Sequence, residues 1–146
     1  MVVWADWMRK LTFIFLFALA PFAALAADIT GKWLTDEGKG HVVFEPCGSK
    51  ICGTIVWLKD ATDAGGNPVL DIMNANPSLR KRPLLGIMIG ELEPDGNGGW
   101  KGKLYSPEEG SSFPTHLSIK KDGSLYLKGC GAGGLVCEDE TWTRVE

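Results

Sequence analysis

The sequence predicts an all-β domain, a small eight-stranded antiparallel up-and-down barrel with one long loop between strands 3 and 4. Nineteen Gly and eight Pro separate short apolar runs in a chain of 146 residues, a composition that favours strands and turns over long helices. These runs follow one another as eight candidate strands. Eight successive antiparallel strands close naturally into a barrel without exposed edges, and the alternative is a flattened sandwich.

The first 26 residues have the pattern of a signal peptide. Two basic residues precede an apolar run over 11–20, and Ala24-Leu25-Ala26 has the small-x-small pattern that a signal peptidase recognises. We therefore expect cleavage before Ala27 and a single domain over 27–146. The alternative is an uncleaved membrane anchor, because the apolar segment is almost long enough to span a bilayer.

Charge argues against a nucleic-acid partner. The formal net charge is −3, and removing residues 1–26 takes away one Asp, one Arg and one Lys, which leaves −4. The chain is mildly acidic and has no basic face, so nothing in it suggests a DNA or RNA partner. We expect a periplasmic or secreted protein with no membrane span after cleavage.

The first three strands are predicted over 31–35, 41–45 and 51–58, with a turn at 36–40 between the first two. The third strand is apolar on both sides, so one face would pack in the core and a loop would cover the other. Because side chains alternate along a strand, one face is expected to carry Ile51, Gly53, Ile55 and Trp57.

Four cysteines in an exported chain predict two disulfides, and three pairings are open to them. The local choice pairs Cys47 with Cys52 and Cys130 with Cys137, because each pair brackets a tight Gly-containing turn. Each short loop would contribute about 2 kcal/mol. A four-cysteine zinc site is disfavoured, because zinc ribbons have tighter Cys pairs and an oxidising compartment removes free thiolates.

Residues 59–83 have no strand pattern, and so long a connection in a small domain is often functional. Asn76 before Pro77 predicts an N-cap followed by one short helical turn. The apolar side chains of this loop are expected to cover one mouth of the barrel. A calcium site is disfavoured, because Ala64 would occupy a ligand position and no Glu ends the loop.

Two arginines in this loop are the best candidates for contacting a ligand. The predicted ligand-binding residues are Trp57, Arg80, Arg82, Asn74 and Asn76. Guanidinium groups bind carboxylates and phosphates well, so the ligand would be a small amphiphilic or anionic molecule. The alternative is that the arginines pair with Asp60, Asp63 or Asp71 and hold the loop in place.

The remaining strands follow at regular spacing, over 84–92, 100–105, 112–120, 125–130 and 137–145. Lys121-Asp122-Gly123-Ser124 is a strong hairpin signal, because Asp-Gly readily takes positive φ. Trp33 and Arg144 belong to the first and last strands, which are neighbours only in a closed sheet. We therefore expect Arg144 to stack on the Trp33 indole and close the barrel.

No catalytic set is recognisable. His41 and His116 lack metal-ligand spacing and are predicted to face solvent. Glu138-Asp139-Glu140 suggests paired carboxylates, but adjacent strand residues point to opposite faces, so these acids are predicted to form a solvated edge. Neither a nucleophile elbow nor a phosphate loop is present. We expect no enzyme activity, no metal and no cofactor.

Several motifs together resemble the bacterial exported family known as domain of unknown function 2147. They are Gly31-Lys32-Trp33-Leu34-Thr35, Pro46-Cys47-Gly48, Cys52-Gly53-Thr54-Ile55-Val56-Trp57-Leu58, the run from Asn76 to Gly86 with its Arg-x-Arg-Pro-Leu-Leu-Gly, and Thr141-Trp142-Thr143-Arg144. The resemblance implies a small periplasmic or secreted barrel and no settled activity. More loosely, the first-strand Gly-x-Trp and last-strand Arg are similar to lipocalins and fatty-acid-binding proteins, which implies a calycin-type barrel.

These observations favour an exported, non-catalytic barrel that binds a small, partly apolar molecule at its open end. The alternatives are an envelope scaffold or protein-interaction module with a solid core and, third, a hydrolase. A cavity distinguishes the first two, because a ligand-binding barrel is hollow and a scaffold is filled.

Overall fold

The computed structural model describes residues 25–146, which form a closed barrel of eight antiparallel strands in chain order. The predicted fold class is therefore confirmed. The strands are β1 (Gly31–Leu34), β2 (Gly40–Cys47), β3 (Lys50–Leu58), β4 (Met88–Pro94), β5 (Trp100–Ser106), β6 (Ser111–Ile119), β7 (Leu125–Gly131) and β8 (Val136–Val145). Residues 1–24, which hold most of the predicted signal peptide, lie outside the described part of the chain.

Three short 3₁₀ helices interrupt the connections, at Asp36–Gly38, Pro77–Leu79 and Ala132–Gly134. The second is the predicted helical turn, and Asn76 caps it by accepting a hydrogen bond from the Ser78 N–H at 3.1 Å. None of the helices in residues 25–146 is long and apolar enough to cross a membrane.

The fourth strand begins at Met88, later than the predicted start at residue 84. The intervening residues turn beside β3, where the Gly86 N–H donates to the Ile55 carbonyl at 2.8 Å. Gly86 has a φ of 89°, which ordinary strand residues do not adopt. The long connection therefore extends over residues 59–87.

The cysteines lie in the two local pairs. The sulfur atoms of Cys47 and Cys52 are 2.00 Å apart across the β2–β3 turn, and those of Cys130 and Cys137 are 2.12 Å apart across the β7–β8 turn. The two turns lie at opposite ends of the barrel, because β2–β3 and β7–β8 connections alternate between the ends of an up-and-down sheet.

The core fills the half of the barrel at the end of the β2–β3, β4–β5 and β6–β7 turns, which we call the closed end. Its largest fully buried apolar side chains are Ile29, Trp33, Phe44, Leu92, Leu117 and Leu125. The segment 27–30 crosses this end from the β4–β5 turn to β1. Ala27 accepts a hydrogen bond from Trp100 Nε1 at 2.7 Å, and Ile29 is fully buried.

Arg144 completes the closed end. Strand pairing sets Trp33 opposite Arg144, and the guanidinium carbon lies 4.3 Å from the centroid of the indole. The same guanidinium donates to the Thr30 carbonyl at 2.7 Å. A stacked cation that also binds backbone carbonyls joins the first strand, the last strand and the segment before them.

A bulge in β3 turns Trp57 away from the core. Val42 pairs with Ile55 and His41 pairs with Trp57, so Val56 is an extra residue on β3. Val42 and Ile55 are buried, whereas the Trp57 side chain lies beside the His41 ring with centroids 4.4 Å apart. The predicted common face for Ile51, Ile55 and Trp57 is wrong at its last residue, because the bulge reverses the alternation.

Candidate functional site

The half of the barrel opposite the closed end is hollow. A cavity of about 880 Å³ opens between the β1–β2, β3–β4, β5–β6 and β7–β8 connections, which together form the open end. Apolar walls surround it, contributed mainly by Val42, Ile55, Ile89, Leu104, Leu127 and Trp142. A volume of this size is typical of small-molecule sites, and eight-stranded barrels are wide enough to hold one small ligand.

Glycines on inward-facing strand positions leave this space empty. On β7, Leu125 and Leu127 are buried, and the next two inward positions toward the open end are Gly129 and Gly131. A Cβ on Gly129 would lie 3.7 Å from Thr115 Oγ1, which is an ordinary contact. The missing side chains, rather than a wider barrel, therefore create the cavity on this side.

Two carboxylates face the cavity from β8. Trp142 is buried opposite Leu125, and the same face continues through Glu140, opposite Leu127, to Glu138. Trp142 Nε1 donates to Glu140 Oε2 at 2.6 Å. Glu138 and Glu140 are among the lining residues, so each is exposed to the water of the cavity.

Asp139 belongs to the other face of β8. It pairs with Lys128 and lies next to Tyr126, whose pKa is raised by burial and further by Asp139. Residues 138–140 are all exposed, as predicted, but they do not lie at a sheet edge because the barrel is closed. Alternation along β8 directs the side chains of Glu138 and Glu140 to the cavity and that of Asp139 to the other face, although Asp139 also belongs to the rim of the cavity.

A lysine bridges the open end. Lys39 Nζ lies 2.6 Å from Glu37 Oε2 and 2.8 Å from Glu108 Oε1. The β1–β2 and β5–β6 connections stand on opposite sides of the barrel, so the second ion pair spans the opening. Hydrogen bonds to Glu108 and Glu37 raise the pKa of Lys39 well above its usual range. All three side chains are largely exposed, so the bridge adds little stability.

The cavity and its rim are strongly acidic. Seven Asp and Glu residues line them. Within the described residues, Lys39 is the one Lys or Arg in this lining. An enclosure with apolar walls and one sign of charge concentrates the field and attracts counter-ions. Within residues 25–146, no three or more His, Cys, Asp or Glu side chains are grouped as metal ligands.

The predicted ligand-binding arginine Arg82 is bound to the buried Asp71. Arg82 Nε and Nη2 lie 2.9 and 2.8 Å from Asp71 Oδ2, and the Arg82 guanidinium lies over the Tyr105 ring. Tyr105 Oη donates to Asp71 Oδ1 at 2.5 Å, and Asn74 Nδ2 donates to Asp71 Oδ2 at 2.7 Å. This network fastens the long loop to β5.

The other predicted ligand residues also lie outside the cavity lining. Arg80 Nε donates to the Asn74 carbonyl at 2.8 Å, and the Asn76 side chain caps the following helical turn. Trp57 stands on the outer face beside His41. The geometry favours the loop-holding alternative for the two arginines, and a ligand role for these five residues stays a prediction.

The long loop does not cover the mouth of the barrel in the way that the sequence predicted. Among its apolar residues, Leu84 lines the cavity. By contrast, at least half of the surface of each of Ile72, Met73 and Leu85 is exposed. The loop packs beside the open end, against Tyr105 and Gly110, because its buried polar network attaches there. The opening is thus bordered, rather than covered, by this segment.

The run of three adjacent acids predicts a solvated edge, so this pattern does not identify Glu138 and Glu140 as cavity residues. The signal was available in Trp142, an aromatic residue expected in the core of the last strand. Counting back two and four residues from Trp142 gives Glu140 and Glu138 on the same inward face.

The comparisons with known proteins agree with the fold. The model of a family described as an uncharacterized protein conserved in bacteria (DUF2147) matches residues 31–144. A solved structure of protein HP1028 from the human pathogen Helicobacter pylori, described as belonging to the lipocalin family, is similar with a TM-score of 0.68. The two chains share 23% identity, over 83% of this chain and 85% of that chain. No curated protein matches significantly.

Proposed function

The chain belongs to the DUF2147 family of uncharacterized bacterial proteins, and from its lipocalin-like barrel we propose that it binds a small, partly apolar molecule without catalysing a reaction. The observation that supports this function is the open cavity of about 880 Å³ with apolar walls. A barrel that served only as a scaffold would fill this space with side chains, as the closed end does.

A cavity-filling substitution tests the proposal. Gly129→Leu introduces a branched side chain into the cavity, at a position with no positive φ and only ordinary contacts nearby. We expect the Kd for the neutral apolar dye N-phenyl-1-naphthylamine to rise at least about tenfold, because the bound dye and the new side chain compete for space. Dye fluorescence titrated against purified protein measures the effect.

The matched control is Ser118→Leu, which places the same side chain at an exposed position of β6. Its Kd should stay within about twofold of wild type, a change too small to reflect loss of a site. Thermal unfolding of both variants checks that the barrel is intact. Absence of dye binding to wild type, or equal Kd values for the two folded variants, would contradict the proposal.

We further propose that the protein is exported and processed before Ala27. Ala27 is held at both backbone groups, since its N–H donates to the Gly98 carbonyl at 2.9 Å and its carbonyl accepts from Trp100. Leu25, by contrast, is 93% exposed. Two disulfides are consistent with an oxidising envelope or extracellular location.

Expression of the full chain in a bacterium and Edman sequencing of the osmotic-shock fraction measure this processing. We expect the sequence to begin at Ala27, because Ala24-Leu25-Ala26 has the small-x-small pattern that a signal peptidase recognises and the Ala27 backbone is held by the barrel. Protein that retains Met1 and is found in the membrane fraction would indicate an uncleaved anchor. An N-terminal sequence that begins after Ala27 would contradict the processing site.

A second function is favoured by one feature of the outer surface. Four apolar residues with exposed fractions between 41% and 53% lie on β3 and on the neighbouring segment that leads into β4. They are Val56, Trp57, Leu85 and Met88. Exposed apolar side chains grouped on a sheet are typical of protein-contact surfaces. Binding of an envelope protein at this face is compatible with ligand binding in the cavity.

A further inference from the structure

Water inside the cavity solvates the two carboxylates of β8. Glu138 and Glu140 stand on a wall that continues into Leu127 and Trp142, so an apolar molecule that fills the cavity displaces this water. A carboxylate that loses its water without gaining a partner is strongly disfavoured. A neutral or anionic ligand therefore meets an electrostatic cost in this site, whereas a cationic ligand replaces the lost solvation with an ion pair.

The described chain does not neutralise these carboxylates itself. In residues 25–146, no Lys or Arg forms an ion pair with Glu138 or Glu140. Lys39, the cation of the rim, is already shared by Glu37 and Glu108. Arg82 is bound to Asp71 on the outside of the barrel.

Trp142 fixes one of the carboxylates in place. Its indole N–H donates to Glu140 Oε2 at 2.6 Å, while the indole itself forms part of the cavity wall. A carboxylate held beside an aromatic surface is the combination that binds alkylammonium groups, through the charge and through the π face. The hollow apolar space is one observation, and the Glu140 carboxylate held by the Trp142 indole is another. Both point to a ligand.

We infer that the molecule bound in the cavity is a cationic amphiphile, with an ammonium-type group at Glu138 and Glu140 and an apolar part against the walls. This inference rests on the proposed binding function and names the chemical class of its ligand. From Arg80 and Arg82, the sequence predicted a small amphiphilic or anionic ligand. The present inference gives the ligand the opposite charge.

The test compares three probes of the same chain length and different charge: octyltrimethylammonium, 1-octanol and octanoate. Each probe displaces N-phenyl-1-naphthylamine from wild-type protein at low ionic strength. We expect the ammonium probe to bind at least about tenfold more tightly than octanol, and octanoate to bind most weakly. Added salt should weaken the ammonium probe and leave octanol nearly unchanged.

Matched variants separate the cavity from the surface. In the double variant Glu138→Gln with Glu140→Gln, the preference for the ammonium probe over octanol should disappear while the neutral dye still binds. Glu45→Gln removes a charge at an exposed position of β2 outside the cavity lining, and it should leave the preference within about twofold.

The outcomes distinguish this inference from the proposed function. Dye binding with equal affinities for the three probes, or a preference that survives the double variant, would overturn the cationic ligand and leave ligand binding standing. Failure of wild type to bind the dye or any probe would overturn both. A preference lost equally in Glu45→Gln would assign it to overall charge and contradict the site.

Discussion

Replacing Gly110 by Ala should destabilise the protein by about 3 kcal/mol or more, the largest effect that we expect from a single methyl group. A Cβ at this position would lie 1.8 Å from the Met73 carbonyl oxygen, well inside van der Waals contact. Gly110 also has a φ of 66°, which costs an L-residue about 1 kcal/mol or more.

The clash would separate the long loop from the β5–β6 turn. The Gly110 carbonyl accepts a hydrogen bond from the Ala75 N–H at 2.9 Å, and Met73 belongs to the same loop segment. The introduced Cβ would overlap a backbone oxygen, so no side-chain rotation relieves the clash. Because the displaced loop carries Asp71 and Asn74 out of their buried sites, the loss extends beyond the local clash.

Gly123→Ala is the matched control. Gly123 has a φ of 84° in the β6–β7 turn, and no atom lies within 4 Å of a Cβ built on it. The control should cost about 1 kcal/mol, the conformational part alone. Urea unfolding followed by tryptophan fluorescence gives both values. Similar losses for the two variants would show that the loop contact at Gly110 adds nothing.

Asp71→Asn should destabilise the protein by about 2–3 kcal/mol at neutral pH. Asp71 is 1% exposed and accepts hydrogen bonds from Tyr105, Asn74 and Arg82. The amide cannot accept at both positions or pair with the guanidinium, which leaves polar groups of the network without partners. The partial exposure of Arg82 moderates the loss, because water reaches its free side.

The pH dependence follows from the direction of the Asp71 pKa. Burial alone would raise this pKa, but the hydrogen bonds from Tyr105, Asn74 and Arg82 outweigh burial and hold it below the ordinary value of 3.8. A lowered folded-state pKa stabilises the protein above the unfolded-state pKa. That stability is lost as the pH falls through the folded-state value.

The difference in unfolding free energy between wild type and Asp71→Asn should thus be constant from pH 7 down to about pH 5 and shrink below about pH 4. Asp60→Asn provides the control, since Asp60 is an exposed residue of the same loop, and its effect should stay within about 0.5 kcal/mol. A pH-independent loss in Asp71→Asn would mean that packing, rather than the charge, holds the loop.

Gly110 and Asp71 both help to order the 59–87 connection. Fixing the backbone of so many residues is entropically unfavourable, by roughly 1 kcal/mol or more for each residue. The buried network around Asp71, the backbone contact at Gly110 and the capped turn after Asn76 offset that cost without a ligand. The order of the loop therefore has a structural explanation that requires no ligand.

The sequence by itself determined the fold class and the short helical turn, and it favoured the local disulfide pairing among three possible ones. These features depend on residues close together in the chain. Gly123 takes the positive φ of a hairpin turn, and Asn76 reaches the N–H of Ser78 two residues away. Such preferences act over a few residues and are therefore visible in the sequence.

Only the tertiary structure decided the site. One extra residue at Val56 turned Trp57 outward, and the partner of Arg82 was one of three nearby aspartates that the sequence ranked equally. Closure of the sheet placed Glu138 and Glu140 inside, opposite Gly129 and Leu127. These outcomes depend on strand register and on which side chains meet across the barrel, and a single bulge or a closed edge changes them without altering any local preference.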